Sequence, residues 1–211
     1  MKPNQKNDWI LNEIEFTLCA NMLGRGDWDH IPVLKREQPL EQRMLDGVMR
    51  LAEMGLLLPA QGQTFQPSPL LLRRMQCIIW PERLVQLIGR DVPNWRFFRN
   101  GTDCMLVEPV LTEPDGYRVM ELEEPEAELL WACLQEREEG CYPPLDEALE
   151  AQLNGALALL MVAEVGETAP RMARILEREG QIWLEEEQTA VPLTQAHLAQ
   201  WLDGKEGASA T

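Results

Sequence analysis

Residues 95–122 read WRFFRNGTDCMLVEPVLTEPDGYRVMEL, and their pattern of apolar and turn residues is the most informative about the fold. It contains three short apolar segments, residues 95–98, 104–110 and 117–122. Their aromatic and branched side chains suit a pleated, half-buried surface, so each segment is predicted to be a strand. Asn100-Gly101 and Pro114-Asp115-Gly116 separate the segments, and both sequences are typical of hairpin turns. The pattern predicts an antiparallel meander in the middle of the chain.

Helical patterns surround this meander. Apolar residues recur at three- and four-residue intervals in segments predicted to be helices, which are residues 9–22, 39–58, 68–75, 126–138, 145–165 and 194–202. Residues 170–178 are predicted to form a further short helix and residues 182–184 a short strand, whereas residues 84–88 fit a strand or a buried helix. Ser68 and Thr194 suit N-cap positions, and Gly55 suits a C-terminal cap. Asn7 or Asp8 is the predicted cap of the first helix.

These elements predict an α+β protein with a central antiparallel sheet flanked by helical bundles. The 211 residues suit a single domain with two sub-halves, residues 1–105 and 106–211.

A weak internal similarity relates the two sub-halves. Pro39-Leu40-Glu41 matches Pro144-Leu145-Asp146, and the pairs that match with small gaps are Pro69 with Pro170, Arg73 with Arg174, and Ile79-Trp80 with Ile182-Trp183. The match predicts a pseudo-twofold relation. The alternative is that any two amphipathic segments share such spacing.

The negative charge of the chain is concentrated in its second half. Residues 1–105 carry 13 Lys+Arg and 12 Asp+Glu, a net charge of +1. Residues 106–211 carry 6 and 23, a net charge of −17, which completes the −16 of the whole chain. Such a half repels a phosphate backbone, because Lys and Arg supply most nucleic-acid affinity, so nucleic acid is not the expected partner. The acidic surface either maintains solubility or receives a basic protein partner.

The expected location is the cytoplasm. No apolar stretch approaches the roughly 20 residues that span a bilayer, so no membrane association is expected. Residues 9–20 carry Asn12, Glu13 and Glu15, which a secretory signal segment would exclude.

The sequence shows no catalytic, cofactor-binding or metal-binding pattern. His30 and His197 have no histidine or cysteine at ligand spacing. No nucleophile elbow, phosphate-binding loop or dinucleotide-binding glycine sequence occurs. The five scattered cysteines are expected to be buried small residues and thiols, not a disulfide framework. We therefore expect a protein that is not an enzyme and that uses no cofactor or metal.

Seven tryptophans are present, and most are expected in the core because each buries a large apolar area. Trp28, and Trp95 together with Phe97, are the candidate partner-binding residues. Aromatic side chains are over-represented in the parts of interfaces that carry most binding energy.

The order of the elements is similar to that of the EspG-type chaperones of ESX (type VII) secretion. The segments that carry the resemblance are Gly24-Arg25-Gly26 at the end of the first helix, Ile31-Pro32-Val33-Leu34, Leu51 to Gly55-Leu56, Pro69-Leu70-Leu71-Leu72 and the strand-rich region after Trp80-Pro81. Residues 10–122 are covered best. The resemblance implies a central sheet, pseudo-twofold halves and a protein that binds helical secretion substrates in the cytosol without catalysis. The chain is shorter than typical members, and no cargo-binding residues carry over.

The alternative hypothesis is a transcriptional regulator whose first half is a winged helix. Residues 40–57 would form the recognition helix and residues 58–65 the wing. The arginines that would contact phosphates are Arg43, Arg50, Arg73 and Arg74.

Overall fold

The computed structural model describes residues 8–25, 39–62, 64–113, 116–137, 140–142 and 145–204. Within these ranges the chain is an α+β protein, as the sequence predicts. The helices there are α1 (Glu13–Met22), α2 (Leu40–Glu53), α3 (Pro69–Ile79), α4 (Glu126–Gln135), α5 (Glu147–Leu153) and α6 (Gln195–Leu202). The strands there are β1 (Trp9–Asn12), β2 (Leu57–Pro59), β3 (Phe65–Pro67), β4 (Arg83–Gly89), β5 (Trp95–Asn100), β6 (Asp103–Pro109), β7 (Gly116–Glu121), β8 (Ala158–Glu164), β9 (Arg171–Arg178), β10 (Gln181–Glu186) and β11 (Thr189–Pro192).

Nine of the described strands form one antiparallel sheet with the order β1-β7-β6-β5-β4-β8-β9-β10-β11. β2 and β3 pair with each other as a separate hairpin. The predicted meander is confirmed as β5, β6 and β7, and the ambiguous residues 84–88 lie in strand β4. Gly101, with φ +56°, turns the chain between β5 and β6 as predicted. In the second predicted turn, Pro114 and Asp115 lie outside the described residues.

The chain divides into two compact units. Unit 1 consists of Met1–Glu82 and Phe98–Glu121, and unit 2 of Arg83–Phe97 and Leu122–Thr211. Over these sequence ranges unit 2 carries 8 Lys+Arg and 20 Asp+Glu, a net charge of −12, and unit 1 carries 11 and 15, a net charge of −4. Most of the excess negative charge therefore belongs to unit 2.

In unit 1, α1 packs against α2 and α3, and α3 packs against β6. Leu51 of α2 is fully buried. Phe16 of α1 lies edge-to-face with Tyr117 of β7, with ring centroids 6.1 Å apart. Gly47 allows α2 to approach α1 closely, because a Cβ at this position would lie 2.9 Å from Cδ1 of Leu18.

The first helix begins later than predicted. Trp9–Asn12 is β1, which pairs with β7, and α1 follows it. Oδ1 of Asn12 accepts the backbone N–H of Glu15 at 3.0 Å, and Oε2 of Glu15 accepts the N–H of Asn12 at 2.8 Å. This reciprocal capping box replaces the predicted cap at Asn7 or Asp8, of which Asn7 lies outside the described residues. The sequence did contain a signal for this cap, because Asn12 lies three residues before Glu15, which is the spacing of a capping box.

The predicted helix over residues 145–165 is wrong beyond its first turns. α5 ends at Leu153, because Asn154 and Gly155 have positive φ values of 46° and 82° and turn the chain out of the helix. The apolar run that follows is β8, which has β4 and β9 as neighbours. Residues 158–163 are all apolar, so the run lacks the polar alternation of a half-exposed strand and its sequence resembles that of a buried helix.

The predicted helix over residues 170–178 is also wrong, because this segment is β9. Its inward residues Ala173 and Ile175 are buried against β8 and β10. The proposed internal repeat is reflected in matching elements only at its start, where Leu40–Glu53 and Glu147–Leu153 are both helices. Pro69 begins helix α3 whereas Pro170 precedes strand β9, so the later part of the similarity joins segments of different secondary structure.

Three predicted helix ends are confirmed. Oγ of Ser68 accepts the N–H of Leu71 at 3.2 Å at the start of α3, and Oγ1 of Thr194 accepts the N–H of His197 at 3.2 Å at the start of α6. Gly55 has φ +70° directly after the cap of α2. These short polar or flexible residues allow the unpaired backbone groups at helix ends to form hydrogen bonds. Because few residue types can do this, helix ends can be predicted from a sequence.

In unit 2, α4 packs against α6, and one side of β4, β8, β9 and β10 is buried. Arg171 of β9 ties α6 to the unit. Its Nη1 donates to the carbonyl of Trp201 at 2.7 Å and its Nη2 to that of Leu202 at 3.1 Å. A guanidinium at these carbonyls also complements the negative C-terminal end of the helix dipole.

Candidate interaction surfaces

The structure places the predicted partner-binding aromatic residues in different environments. Trp95 is partly exposed and lies edge-to-face with Phe97, with ring centroids 5.8 Å apart. Phe97 is fully buried, so its prediction as a contact residue is corrected: its side chain belongs to the core. Trp28 lies outside the described residues. Of the three, Trp95 alone has described surface that a partner can reach.

No described group of three or more His, Cys, Asp or Glu side chains is arranged to hold a metal ion. The Nδ1 atom of His197 lies 3.4 Å from the backbone carbonyl of Pro192, where the ring packs at the start of α6. His30 lies outside the described residues.

A partly exposed apolar surface crosses three strands of unit 2. Residues on one side of these strands alternate with fully buried neighbours such as Leu160 and Val162. The register places Leu84 opposite Ala163, Gln86 opposite Met161, and Met161 opposite Met172. We call this surface the methionine face; it consists of Leu84, Gln86, Met161, Ala163 and Met172. Directly opposed residues on neighbouring strands have Cβ atoms about 4.5–5.5 Å apart, so the face is continuous.

The methionine face is covered at one end and exposed at the other. Leu159 is buried against Leu153 of α5 and Ala156, and Ile88 and Leu176 pack on this cluster. Met172 at the other end is 48% exposed. Val165, in the connection from β8 to β9, is 77% exposed. Methionine is flexible and polarisable, and it recurs on surfaces that adapt to several partners. The face therefore has the properties of a protein-binding surface.

A second apolar surface lies on α2 in unit 1. Leu45 and Met49, one turn apart, are 56% and 48% exposed, while Leu51 on the other side of the helix is fully buried. The apolar residues of α2 thus cover more of the helix surface than packs against the core, and Leu45 and Met49 remain exposed. The apolar periodicity of residues 39–58 predicted a helix, but periodicity alone does not show how much of an apolar arc packs against other elements.

Trp80 is an exposed aromatic residue that sequence analysis did not single out. It is 50% exposed at the end of α3, and the guanidinium of Arg25 lies 4.7 Å from its ring centroid. Arg25 also donates to the carbonyl of Ile79, and Asn100 Nδ2 donates to that of Trp80 at 2.9 Å. These contacts hold the indole in place. Trp80 therefore has a role in packing, although half of its surface is exposed.

The arginines of the winged-helix hypothesis are engaged by carboxylates. The predicted wing region does form the β2–β3 hairpin. The ion pairs of these arginines, however, are Arg43 with Glu13, Arg50 with Glu15 at 3.5 Å, Arg73 with Glu121 at 2.7 Å and Asp103 at 3.1 Å, and Arg74 with Glu121 at 3.1 Å. Each pair cancels charge that phosphate binding would require, which disfavours the nucleic-acid alternative.

Burial controls the chemistry of the thiols. Cys19, Cys77 and Cys104 are buried, Cys133 is partly exposed and Cys141 is exposed. Burial raises the pKa of Cys19 and of Cys77 to about 12. The thiolate is the nucleophilic form, so these two groups are unsuited to nucleophilic catalysis at neutral pH.

The thiols are therefore expected to differ in reactivity. In the native protein at pH 8, iodoacetamide should modify Cys141 first, while Cys19, Cys77 and Cys104 should react only after unfolding in guanidinium chloride. Peptide mapping by mass spectrometry after timed quenching measures this. Modification of Cys77 at the rate of Cys141 in the native protein would contradict the burial described above.

No described helix is both long enough and apolar enough to cross a membrane. No model of a known protein family and no curated protein matches the chain.

Proposed function

We propose that the protein is a non-enzymatic cytosolic adaptor, similar to the EspG-type secretion chaperones, that binds a helical secretion substrate through the methionine face. The observation that carries this proposal is the row Gln86–Met161–Met172, which runs across three strands and ends in an exposed methionine. An exposed apolar surface on a charged protein is a common mark of a protein-binding site.

Charge supports the choice of a protein with basic residues as the partner. Unit 2, which carries the face, has a net charge of −12. Beside the face Arg174 pairs with Glu185, so this carboxylate is compensated, whereas unit 2 as a whole keeps its excess of negative charge. Such an arrangement lets apolar contact supply affinity and long-range attraction supply association rate.

The test is co-purification from the native host followed by direct measurement. Tagged wild-type chain, Met172→Glu and Leu111→Glu are compared; Leu111 is 55% exposed in unit 1 and provides a matched apolar-to-acidic control. Each co-purifying protein is expressed separately, and its affinity is measured by calorimetry. We expect a helical partner that binds wild type and Leu111→Glu equally and Met172→Glu at least about ten-fold more weakly.

Equal affinity of that partner for all three chains would exclude the methionine face as the binding site. A purified partner that shows no saturable binding to wild type would overturn the adaptor proposal itself.

A further inference from the structure

The outward side of α2 carries one ridge of residues spaced four apart: Glu41, Leu45, Met49 and Glu53. Residues at this spacing lie above one another on a helix, so the ridge runs about 18 Å along α2. Its two central residues are the exposed Leu45 and Met49, and its two ends are exposed carboxylates. Asp46 lies beside the ridge and accepts a hydrogen bond from Gln42 at 2.8 Å. We call Glu41, Leu45, Met49 and Glu53 the α2 ridge.

The charges of α2 are divided between its two sides. Its basic residues, Arg43 and Arg50, pair with Glu13 and Glu15 of α1. Arg50 also donates to the carbonyl of Ile10 at 3.1 Å. Both cations of this helix thus pair with carboxylates of α1, Arg43 as a largely buried side chain and Arg50 as one that is 41% exposed.

Its outward charges are all negative. Glu41, Asp46 and Glu53 form no ion pair with any residue that the structure describes. Within the described ranges, an apolar pair bounded by carboxylates without an ion-pair partner therefore lies on the outside of the helix. This pattern is complementary to an apolar stripe bounded by Lys or Arg.

A basic amphipathic helix matches this surface in shape as well as charge. Side chains spaced three or four apart on such a helix form ridges that pack into the grooves beside the α2 ridge. Its Lys or Arg residues, placed one turn beyond its apolar residues, reach the carboxylates at the two ends. Helices of this kind commonly bind by laying their apolar side on an exposed apolar surface.

Other occupants meet repulsion at the same carboxylates. A second copy of α2 in the same position would oppose Glu41 and Glu53 to carboxylates of its own kind, at an energetic cost. Anionic lipid headgroups and nucleic-acid phosphates are repelled in the same way.

We propose that the α2 ridge is a docking site for a basic amphipathic helix of a partner protein. The inference rests on the proposed function of a protein-binding adaptor. It uses a surface in unit 1, whereas the methionine face lies in unit 2.

The test uses the full chain and two synthetic fluorescent peptides of about 18 residues, a length that spans the ridge. Both peptides have the same Leu stripe; one has Lys at all flanking positions and the other has Glu. Fluorescence anisotropy should show saturable binding of the Lys peptide alone, weakened by added salt. Leu45→Gln/Met49→Gln should reduce this affinity at least about ten-fold.

Two triple variants separate the ridge from general charge attraction. Glu41→Lys/Asp46→Lys/Glu53→Lys should lose the Lys peptide and gain the Glu peptide. Glu167→Lys/Glu179→Lys/Glu187→Lys makes the same change in net charge at exposed sites of unit 2, and it should bind the Lys peptide within about three-fold of wild type. Circular dichroism melting confirms that each variant is folded.

Two results would overturn the inference. One is a Lys peptide that shows no saturable binding to wild type. The other is a unit 2 triple variant that loses as much affinity as the α2 variant, which would mean general attraction to an acidic protein. Because Met172→Glu leaves α2 unchanged, failure of the methionine-face test and failure of this test are distinguishable.

Discussion

Replacing Glu121 with alanine is expected to lower the free energy of unfolding by roughly 3 kcal/mol, near the lower end for breaking a buried ion pair. Glu121 is the carboxylate beside Arg74, whose side chain is 1% exposed. Arg74 also lies over the ring of Trp9, with its guanidinium 4.5 Å from the ring centroid. Without Glu121 the guanidinium keeps its full positive charge in a site that water hardly reaches. Urea unfolding at neutral pH measures the loss.

This loss should depend on pH in a defined direction. Burial raises the pKa of Glu121, but hydrogen bonds from Arg73 and Arg74 outweigh it, so its pKa lies below the ordinary value. A carboxylate whose pKa is lower in the folded state contributes stability that is complete above the unfolded pKa. That contribution disappears as pH falls through the folded pKa. The difference between wild type and Glu121→Ala should therefore shrink in acid.

Arg73 provides the matched control, because it bonds to the same carboxylate but is 45% exposed. Arg73→Met is expected to cost less than about 1 kcal/mol, as exposed ion pairs usually do. The double variant Arg74→Met/Glu121→Ala should be more stable than Glu121→Ala alone, since it removes a buried charge that has lost its pairing with Glu121. A double variant less stable than Glu121→Ala would contradict the explanation.

Gly89→Ala should cost about 3 kcal/mol, the upper part of the range for overpacking a core. Gly89 is buried in β4 opposite Ala158 of β8. A Cβ there would lie 2.4 Å from the carbonyl oxygen of Leu157 and 2.6 Å from Cα of Ala158. Both atoms belong to the backbone, so relief requires β4 and β8 to separate. Urea unfolding and the melting temperature report the effect.

Gly47→Ala tests whether the cause is backbone crowding or only the added methyl group. A Cβ at position 47 would lie 2.9 Å from Cδ1 of Leu18, which is the end of a flexible side chain. Alanine also favours the helix over glycine by about 1 kcal/mol. We expect Gly47→Ala to remain within about 1 kcal/mol of wild type. Equal losses in both variants would show that the backbone contact at Gly89 has no special weight.

The candidate surfaces were only partly predictable. The sequence predicted Trp95 and Phe97 as contact residues, yet Phe97 is buried, and the exposed apolar residues include Met172, Leu45 and Met49, which were not predicted. A sequence shows that a residue is apolar. It does not show which of two apolar sides of an element is left without a neighbour, because that depends on elements distant in the chain.

Local chemistry determined what the sequence by itself could predict. Some features depend only on residues close together in the sequence, because nearby side chains satisfy backbone groups or a turn requires a positive φ value. These features are the helix ends at Ser68, Gly55 and Thr194 and the turn at Gly101. The meander and the α+β class follow from periodicity within single segments.

Tertiary structure alone decided the rest. The apolar run of β8 is a strand because β4 and β9 supply hydrogen-bonding partners on both of its edges, a condition that its own residues do not encode. In the same way Arg43 and Arg50 face α1 because they form ion pairs with Glu13 and Glu15. This pairing leaves the other side of α2 acidic. How deeply a side chain is buried, and whether its charge is paired, depends on neighbouring residues that are distant in the sequence. Only the folded structure determines which residues those are.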